Sequence, residues 1–227
     1  MLRDPRLGRI RMKLRIPVIA GPTAVGKTDL SLQLAEDLGC EIVSADSRQI
    51  YRELSIGTAK PSEAERARVR HHFVHERSLD EPFSAGRFAD EAVERMNEIL
   101  SRDRLPLVVG GSTLYLQALL HGLADIPEVP AEVRRETMDL LARRGAESLY
   151  AELQEVDPVA AATMDPTKTQ RLVRAMEVYR ATGTPLSEFH RNQSERPFEY
   201  RTIVLNRDRK DLYRRIDARV DRMLENG

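Results

Sequence analysis

One segment near the start of the chain constrains the fold more than any other. Gly21–Thr28 fits the phosphate-loop pattern G-x-x-x-x-G-K-[S/T]. It follows an apolar run typical of a buried strand, Ile16–Ala20, and opens a stretch with helical spacing of apolar residues, Lys27–Leu38. In such loops the glycines let backbone N–H groups converge on phosphate oxygens, Lys27 neutralises the terminal phosphate, and Thr28 can hold magnesium. The predicted phosphate-binding residues are Gly21, Pro22, Thr23, Ala24, Val25, Gly26, Lys27 and Thr28.

The rest of the chain alternates between strand and helix patterns. Glu41–Ser44 and Leu105–Val109 read as further strands, with a helical stretch, Ser84–Leu100, before the second of them. Thr202–Leu205 reads as a returning strand and Lys210–Leu224 as an amphipathic helix. This alternation predicts an α/β protein with a P-loop NTPase-like parallel sheet, helices on both faces and a helical insertion domain.

Four regions are expected along the chain: a basic N-terminal arm at 1–15, a P-loop core at 16–115, a helical insertion at 116–191 and a return to the core at 192–227. The arm has the basic residues of a short organellar transit segment, but Asp4 and its shortness argue against that function.

Composition excludes several classes of protein. The 36 basic and 36 acidic side chains cancel, so an RNA site must come from local clusters of Arg and Lys. The single cysteine, Cys40, excludes an internal disulfide and a Cys-based zinc site, and we expect a buried structural thiol. No apolar run approaches the roughly 20 residues needed to cross a bilayer, so a cytoplasmic protein with no membrane association is expected.

Three histidines, His71, His72 and His75, fall within five residues. No cysteine or carboxylate completes the spacing of a tetrahedral zinc site. We therefore expect His71 and His72 to pack or to shape the site.

Several motifs beyond the phosphate loop occur in a fixed order. They are residues 46–51 (DSRQIY), 56–61 (IGTAKP), 110–115 (GGSTLY), 170–178 (QRLVRAMEV) and 182–188 (TGTPLSE). In wording and order this set resembles the tRNA dimethylallyltransferases, also called tRNA isopentenyltransferases, from about residue 16 to residue 227. A phosphate loop alone is shared by many families, whereas this ordered set is specific to one.

The resemblance implies a reaction. Family members transfer a dimethylallyl group from its diphosphate to N6 of the adenosine next to the tRNA anticodon, and they release diphosphate without spending ATP. The expected partners are dimethylallyl diphosphate and the tRNA anticodon loop, the expected cofactor is Mg²⁺ and the expected state is a monomer. The phosphate loop would hold the donor, while Thr23 to Thr28 and magnesium would take up charge on the departing diphosphate. Asp46 matches the family's base, which would accept the N6 proton.

The resemblance also implies site residues. The expected catalytic residues are Asp46, Thr23, Ser112 and Arg219, and Ser112 stands where the family usually has Thr. Arg215 and Arg219 fall where members place arginines near the diphosphate; the alternative is a solvated basic face. The family's tRNA-contacting positions correspond to Asp46, Ser47, Arg48, Gln49, Ser112, Arg134, Gln170, Arg171, Leu172, Val173 and Arg174.

Other functions stay open. A nucleotide-dependent small-molecule kinase shares the loop and the sheet, but such enzymes often have Asp where Gly110-Gly111-Ser112 follows the strand. A non-catalytic nucleotide-binding or RNA-binding module would leave Asp46 without a role. An enzyme that prenylates free adenine nucleotides is nearer, and only the helical insertion favours tRNA. Family members generally continue well beyond residue 227, so C-terminal helices are expected to be missing.

Overall fold

The computed structural model describes residues 14–124, 126–189 and 196–225. Within these ranges the strands are β1 Arg15–Ala20, β2 Cys40–Ala45, β3 His71–His72, β4 Leu105–Gly110 and β5 Glu199–Val204. The helices are α1 Lys27–Leu38, α2 Glu63–Arg68, α3 Ala85–Ser101, α4 Thr113–His121, α5 Ala131–Val156, α6 Pro158–Thr163, α7 Thr169–Thr182, α8 Leu186–Phe189 and α9 Arg209–Glu225. Residues 1–13 of the predicted basic arm lie outside the described residues, and Arg15 belongs to β1 instead.

The strands form one parallel sheet in the order β3-β2-β4-β1-β5. The predicted parallel sheet is therefore confirmed. Parallel pairing brings the carboxyl ends of β2, β4 and β1, which are neighbours, to the same edge. Ligands of open α/β sheets bind at that edge.

Helices cover both faces of the sheet, as predicted. On one face α1 packs through Leu32 and Ala35 against Ile19 of β1, Ile42 of β2 and Leu107 of β4. Because side chains alternate along a strand, Val43 and Val108 point to the other face. There α3 contacts β2 and β4.

The described residues divide into two compact units, one within 1–122 and 196–227 and the other within 123–195. The first unit contains the sheet. The insertion was expected to begin at residue 116, but α4 belongs to the first unit because it packs on α3.

The second unit is helical and has its own core. Residues from α5, α6 and α7 form it, and α5 is interrupted at Gly145, whose backbone is non-helical (φ 79°, ψ 168°). Asp157 caps α6 by accepting from the Ala160 N–H at 3.0 Å, and its other oxygen accepts from the Ser187 N–H at 2.9 Å. These contacts tie α6 to the segment that enters α8.

Cys40 is buried, as predicted, and it is the first residue of β2. Burial raises the pKa of its thiol, which opposes thiolate formation. A structural role follows. Among the described helices, none combines the length and the apolarity needed to cross a bilayer.

The close approach of β2 and β4 depends on Gly110. A Cβ atom at this position would lie 2.2 Å from the Ala45 carbonyl oxygen and 2.6 Å from the Ala45 Cβ. We expect Gly110→Ala to lower the free energy of unfolding by about 1–3 kcal/mol, the usual cost of overpacking. Urea unfolding measures this. Gly57→Ala is the matched control, because no atom lies within 4 Å of a Cβ there; equal effects of the two substitutions would contradict the expectation.

Candidate active site

The phosphate loop joins β1 to α1 and contains Lys27, whose ammonium group donates hydrogen bonds to carbonyl oxygens of the same loop. Lys27 Nζ donates to the carbonyl oxygens of Gly21 and Pro22, each at 2.8 Å. Burial lowers the pKa of Lys27, the charge of Asp46 opposes this, and the charge of Arg219 adds to it. The charges of Asp46, which follows β2, and of Arg219, which lies on α9, therefore act on the same ammonium group.

Asp46 follows β2 and has two unequal carboxylate oxygens. Oδ1 accepts from the backbone N–H groups of Arg48 at 2.8 Å and Gln49 at 3.2 Å. In the described part of the chain, no hydrogen bond reaches Oδ2. The turn therefore fixes the orientation of the carboxylate and leaves one oxygen available as a proton acceptor.

The segment after Asp46 is held against a second loop. The Gln49 side chain donates to the carbonyl oxygens of Thr58 at 3.2 Å and Ala59 at 3.1 Å. On the far side of β2, the Ser112 N–H donates to the Ala45 carbonyl at 3.3 Å. Backbone contacts thus place the carboxylate and the Ser112 hydroxyl at the ends of neighbouring strands.

Helix α9 supplies one arginine to the phosphate loop and another to the loop that contains Thr58. Arg215 Nε donates to the Ala24 carbonyl at 2.8 Å, and Arg219 Nη2 donates to the Thr58 carbonyl at 3.2 Å. Burial lowers the pKa of Arg219, and the charge of Asp46 opposes that shift. Both side chains are half-buried, so the alternative that they form a solvated basic face does not apply in this structure.

A third arginine, Arg207, was not identified from the sequence. Its Nε donates to the Val25 carbonyl at 2.9 Å, and its Nη1 contacts Asp211 at 3.2 Å. Nothing local to the sequence marks Arg207, since its partner Val25 lies 182 positions away.

One cavity of about 1000 Å³ lies at this edge of the sheet in the first unit, and Arg207 is not among the residues that line it. All four expected catalytic residues, Asp46, Thr23, Ser112 and Arg219, line it together with Lys27, Thr28 and Arg215. The structure brings the residues together, and their individual roles stay predictions.

The three histidines do not form a metal site in the described residues, where no group of three or more potential ligands is found. His72 is buried, and its Nε2 lies 2.7 Å from the Glu41 carboxylate. Arg95 Nη1 lies 3.2 Å from His72 Nδ1, and because arginine only donates, Nδ1 accepts and Nε2–H donates to Glu41. His71 lines the cavity and its Nδ1 donates to the Val69 carbonyl at 2.7 Å.

The predicted tRNA-contacting residues fall in both units. Asp46, Ser47, Arg48, Gln49 and Ser112 line the cavity of the first unit. In the second unit, the side chains of Arg134, Gln170, Arg171 and Arg174 are exposed. Arg134 and Arg174 each lie 3.6 Å from the buried carboxylate of Glu177.

Two of the predicted contacts need correction. Leu172 is fully buried and Val173 is 5% exposed, both in the core of the second unit. Because residues of a helix point in successively rotated directions, part of the motif at 170–174 faces inward. The side chains of Leu172 and Val173 are therefore unavailable to RNA in this structure.

The fold and the cavity define a P-loop α/β protein in which a phosphate loop faces a carboxylate and two arginines. Residues 49–227 match the family model described as IPP transferase. The tRNA dimethylallyltransferase of Salinibacter ruber is 61% identical over 212 residues, which are 93% of this chain and 65% of that protein. The one from Chlorobium limicola is 48% identical over 210 residues, 92% of this chain and 66% of that protein.

Solved structures agree. A eukaryotic dimethylallyltransferase acting on tRNA aligns with a TM-score of 0.79 and 33% identity, covering 94% of this chain and 54% of that chain. The tRNA isopentenylpyrophosphate transferase of Bacillus halodurans aligns with a TM-score of 0.62 and 37% identity, covering 95% and 67%. The chain belongs to the IPP transferase family, the family of the tRNA dimethylallyltransferases. It spans about two thirds of the length of the curated relatives it matches.

Proposed function

We propose that this protein transfers a dimethylallyl group from dimethylallyl diphosphate to N6 of the adenosine next to the tRNA anticodon. The observation that carries the proposal is the placement of the Asp46 carboxylate, with Oδ2 free, in the same cavity as Lys27 and Arg219. The donor needs cations for its leaving group, and the acceptor amine needs a base. The cavity supplies both.

The proposed reaction forms one bond and breaks another. The N6 lone pair forms a bond to C1 of the dimethylallyl group, while the C1–O bond breaks and its electron pair leaves with the diphosphate. Lys27, Arg215 and Arg219 stabilise the charge on that leaving group. An exocyclic adenine amine is a poor nucleophile because its lone pair is delocalised, so Asp46 Oδ2 takes the N6 proton as the new bond forms. Thr23 and Ser112 line the same cavity, and in this proposal their hydroxyls hydrogen-bond the diphosphate or the amine.

Magnesium fits the residues at the loop. The Thr28 hydroxyl lines the cavity and makes no hydrogen bond among the described residues. Mg²⁺ prefers oxygen ligands and commonly uses one or two protein oxygens besides substrate phosphates and water. Thr28 would therefore hold the ion, which would supply positive charge near the departing diphosphate.

Separate incubations with dimethylallyl diphosphate plus unmodified tRNA, dimethylallyl diphosphate plus AMP, and ATP plus small acceptors test the proposal. We expect prenylated tRNA only in the first, detected by mass spectrometry of the digested nucleosides. Prenylated AMP without prenylated tRNA would identify an enzyme acting on free nucleotides, and ATP consumption would identify a kinase. RNA binding without turnover would leave a binding module.

The exposed arginines of the second unit give a further prediction. Replacing Arg134, Arg171 and Arg174 together by Ala should weaken tRNA binding and reduce the slope of log K against log salt by roughly 0.7–0.9 per lost phosphate contact. Donor affinity should not change, because the donor site lies in the first unit. Anisotropy of labelled tRNA at several salt concentrations measures the slope. Arg144→Ala, another exposed arginine of α5, is the control, and an unaltered slope in the triple variant would remove these residues from the RNA surface.

A further inference from the structure

Four basic side chains meet beside the segment that follows Asp46: Arg52, Lys60, Arg66 and His75, here called the basic cluster. Lys60 Nζ lies 3.3 Å from His75 Nδ1. It also donates to the carbonyl oxygens of Tyr51 at 2.6 Å and Arg52 at 3.2 Å. Arg52 Nη2 donates to the Glu76 carbonyl at 2.6 Å. None of these partners carries a negative charge.

The tautomer of His75 follows from this geometry. An ammonium group donates and cannot accept, so Nδ1 of His75 is the acceptor and the ring proton is on Nε2. Among the described residues, His75 Nε2–H has no hydrogen-bond partner, and the side chain is exposed. His75 also has a left-handed backbone, φ 60°, which is uncommon for a residue other than glycine. The histidine thus presents a hydrogen-bond donor from a constrained position.

Within the described ranges, the cations of the cluster have no close ion-pair partner, although the charge of Glu53 acts on Lys60 and His75 from a longer distance. In the described part of the chain, no carboxylate oxygen lies within 4.0 Å of a cationic nitrogen of Arg52, Lys60 or Arg66. Arg66 Nε is buried and has no hydrogen-bond partner there. Loss of water and then the charges of Lys60, Arg66 and Arg52 lower the pKa of His75, and the smaller effect of the Glu53 charge opposes them. Like charges gathered around an unsatisfied donor are unfavourable unless an anion completes the group.

The contacts within the protein account for only part of the cluster. Lys60 holds the loop between Tyr51 and Pro61 through the two carbonyl oxygens, and Arg52 fixes the loop at Glu76. Neither Arg66 nor the Nε2–H of His75 takes part in those contacts. A purely structural role of the cluster therefore does not explain the Arg66 side chain or the Nε2–H group of His75.

The cluster lies at the rim of the cavity. Ala59 and Pro61, which flank Lys60 in sequence, line the cavity with Asp46. The His75 N–H donates to the Gln49 carbonyl at 2.9 Å, so the loop with His75 is paired with the segment after Asp46. A nucleotide that enters an enzyme pocket from a folded RNA leaves its flanking phosphates outside the pocket. The rim is where such a phosphate would lie.

We propose that the basic cluster binds a backbone phosphodiester of the RNA substrate, next to the nucleotide that enters the cavity. This assignment rests on the proposed function, because it takes the RNA to be the acceptor. The donor diphosphate has its own cations at the phosphate loop, whereas His75 is exposed at the rim. Because none of the four side chains of the cluster lines the cavity, the backbone of the RNA is the anion assigned to them.

Two single variants test the assignment: Arg66→Gln, which keeps most of the side-chain length, and His75→Asn, which tolerates the left-handed backbone. Binding of a labelled anticodon stem-loop is measured by anisotropy at several salt concentrations, and donor binding by calorimetry. We expect Arg66→Gln to weaken RNA binding by roughly 5- to 20-fold and to reduce the salt slope by about 0.7–0.9, and His75→Asn to weaken binding without a charge-related change in slope. Arg201→Gln, an exposed cation on β5 outside the cluster, is the matched control and should leave the affinity nearly unchanged.

Several results would overturn the assignment. Variants that match Arg201→Gln in affinity and slope would show that no phosphate contact exists at the cluster. A loss of donor affinity with unchanged RNA affinity would assign the cluster to the donor instead. If Arg66→Gln lowers the melting temperature, His75→Asn, whose side chain is exposed, decides the outcome.

The proposed function can fail separately. Wild-type protein that prenylates tRNA, with variants that bind RNA as tightly as wild type, would refute the cluster alone. Wild-type protein that neither binds nor modifies the stem-loop would refute the proposed function, and the assignment of the cluster with it.

Discussion

Asp46→Asn is expected to slow dimethylallyl transfer by roughly 100- to 10,000-fold, the usual contribution of a positioned general base, while donor and tRNA still bind. The geometry makes this substitution selective. Asparagine keeps an oxygen that can accept from the Arg48 and Gln49 N–H groups, as Oδ1 does at 2.8 and 3.2 Å. It replaces Oδ2 by an amide nitrogen, which cannot take the N6 proton.

Single-turnover transfer with pre-bound tRNA measures this effect, because it removes differences in affinity. Asp221→Asn is the matched control, since Asp221 also lines the cavity but lies on α9 and is exposed. We expect a near wild-type rate for the control. A wild-type rate in Asp46→Asn itself would show that Asp46 has no part in the chemistry, and catalysis would then rest on the cations around the diphosphate.

Lys27→Met is expected to weaken binding of dimethylallyl diphosphate by about 10- to 150-fold, which corresponds to the loss of about 1.5–3 kcal/mol from a charged hydrogen bond. Methionine keeps the length and the apolar stem of the side chain but removes the ammonium group. Titration calorimetry with the donor measures the affinity.

The pH dependence gives a second measurement on the same lysine. Burial lowers the pKa of Lys27 from the ordinary value of 10.5, so the ammonium loses its proton at a lower pH than an exposed lysine does. As the pH is raised, donor affinity should therefore begin to decline before pH 10.5 is reached. The Lys27→Met variant should not show this decline. Lys210→Met, an exposed lysine of α9, is the control. Unchanged donor affinity in Lys27→Met would place the diphosphate elsewhere.

The parts of the fold set by local sequence could be predicted. Helix α1 runs from Lys27 to Leu38, as expected, because Gly26 and Gly39 on either side adopt left-handed conformations that bound it. Strand β3, only two residues long, was missed, since it is defined by pairing with Ile42 and Val43 of β2 rather than by a pattern of its own. The strand order is likewise a property of distant contacts.

The residues of the candidate site also divide into those that local sequence could place and those that it could not. Asp46 and Ser112 could be placed because each follows a predicted strand, and parallel strands end at a common edge. The positions of Arg215 and Arg219 came only from the family resemblance, and Arg207 came from neither source. The burial of the Leu172 and Val173 side chains was not foreseen, because a motif that is contiguous in sequence is not contiguous on a helix surface.

Helix α9 has no buried residue, although Arg215 contacts the phosphate loop at Ala24 and Arg219 contacts the carbonyl oxygen of Thr58. A helix that is attached by polar contacts rather than by a packed core has a low free energy of local opening. Its arginines donate to backbone carbonyl oxygens, and under the proposed function they also contact the diphosphate of the donor. Donor binding and docking of α9 are therefore thermodynamically linked. If the donor binds only when α9 is docked, the donor also protects the backbone amides of α9 from hydrogen exchange. By reciprocity, any change that weakens the docking of α9 lowers the affinity for the donor.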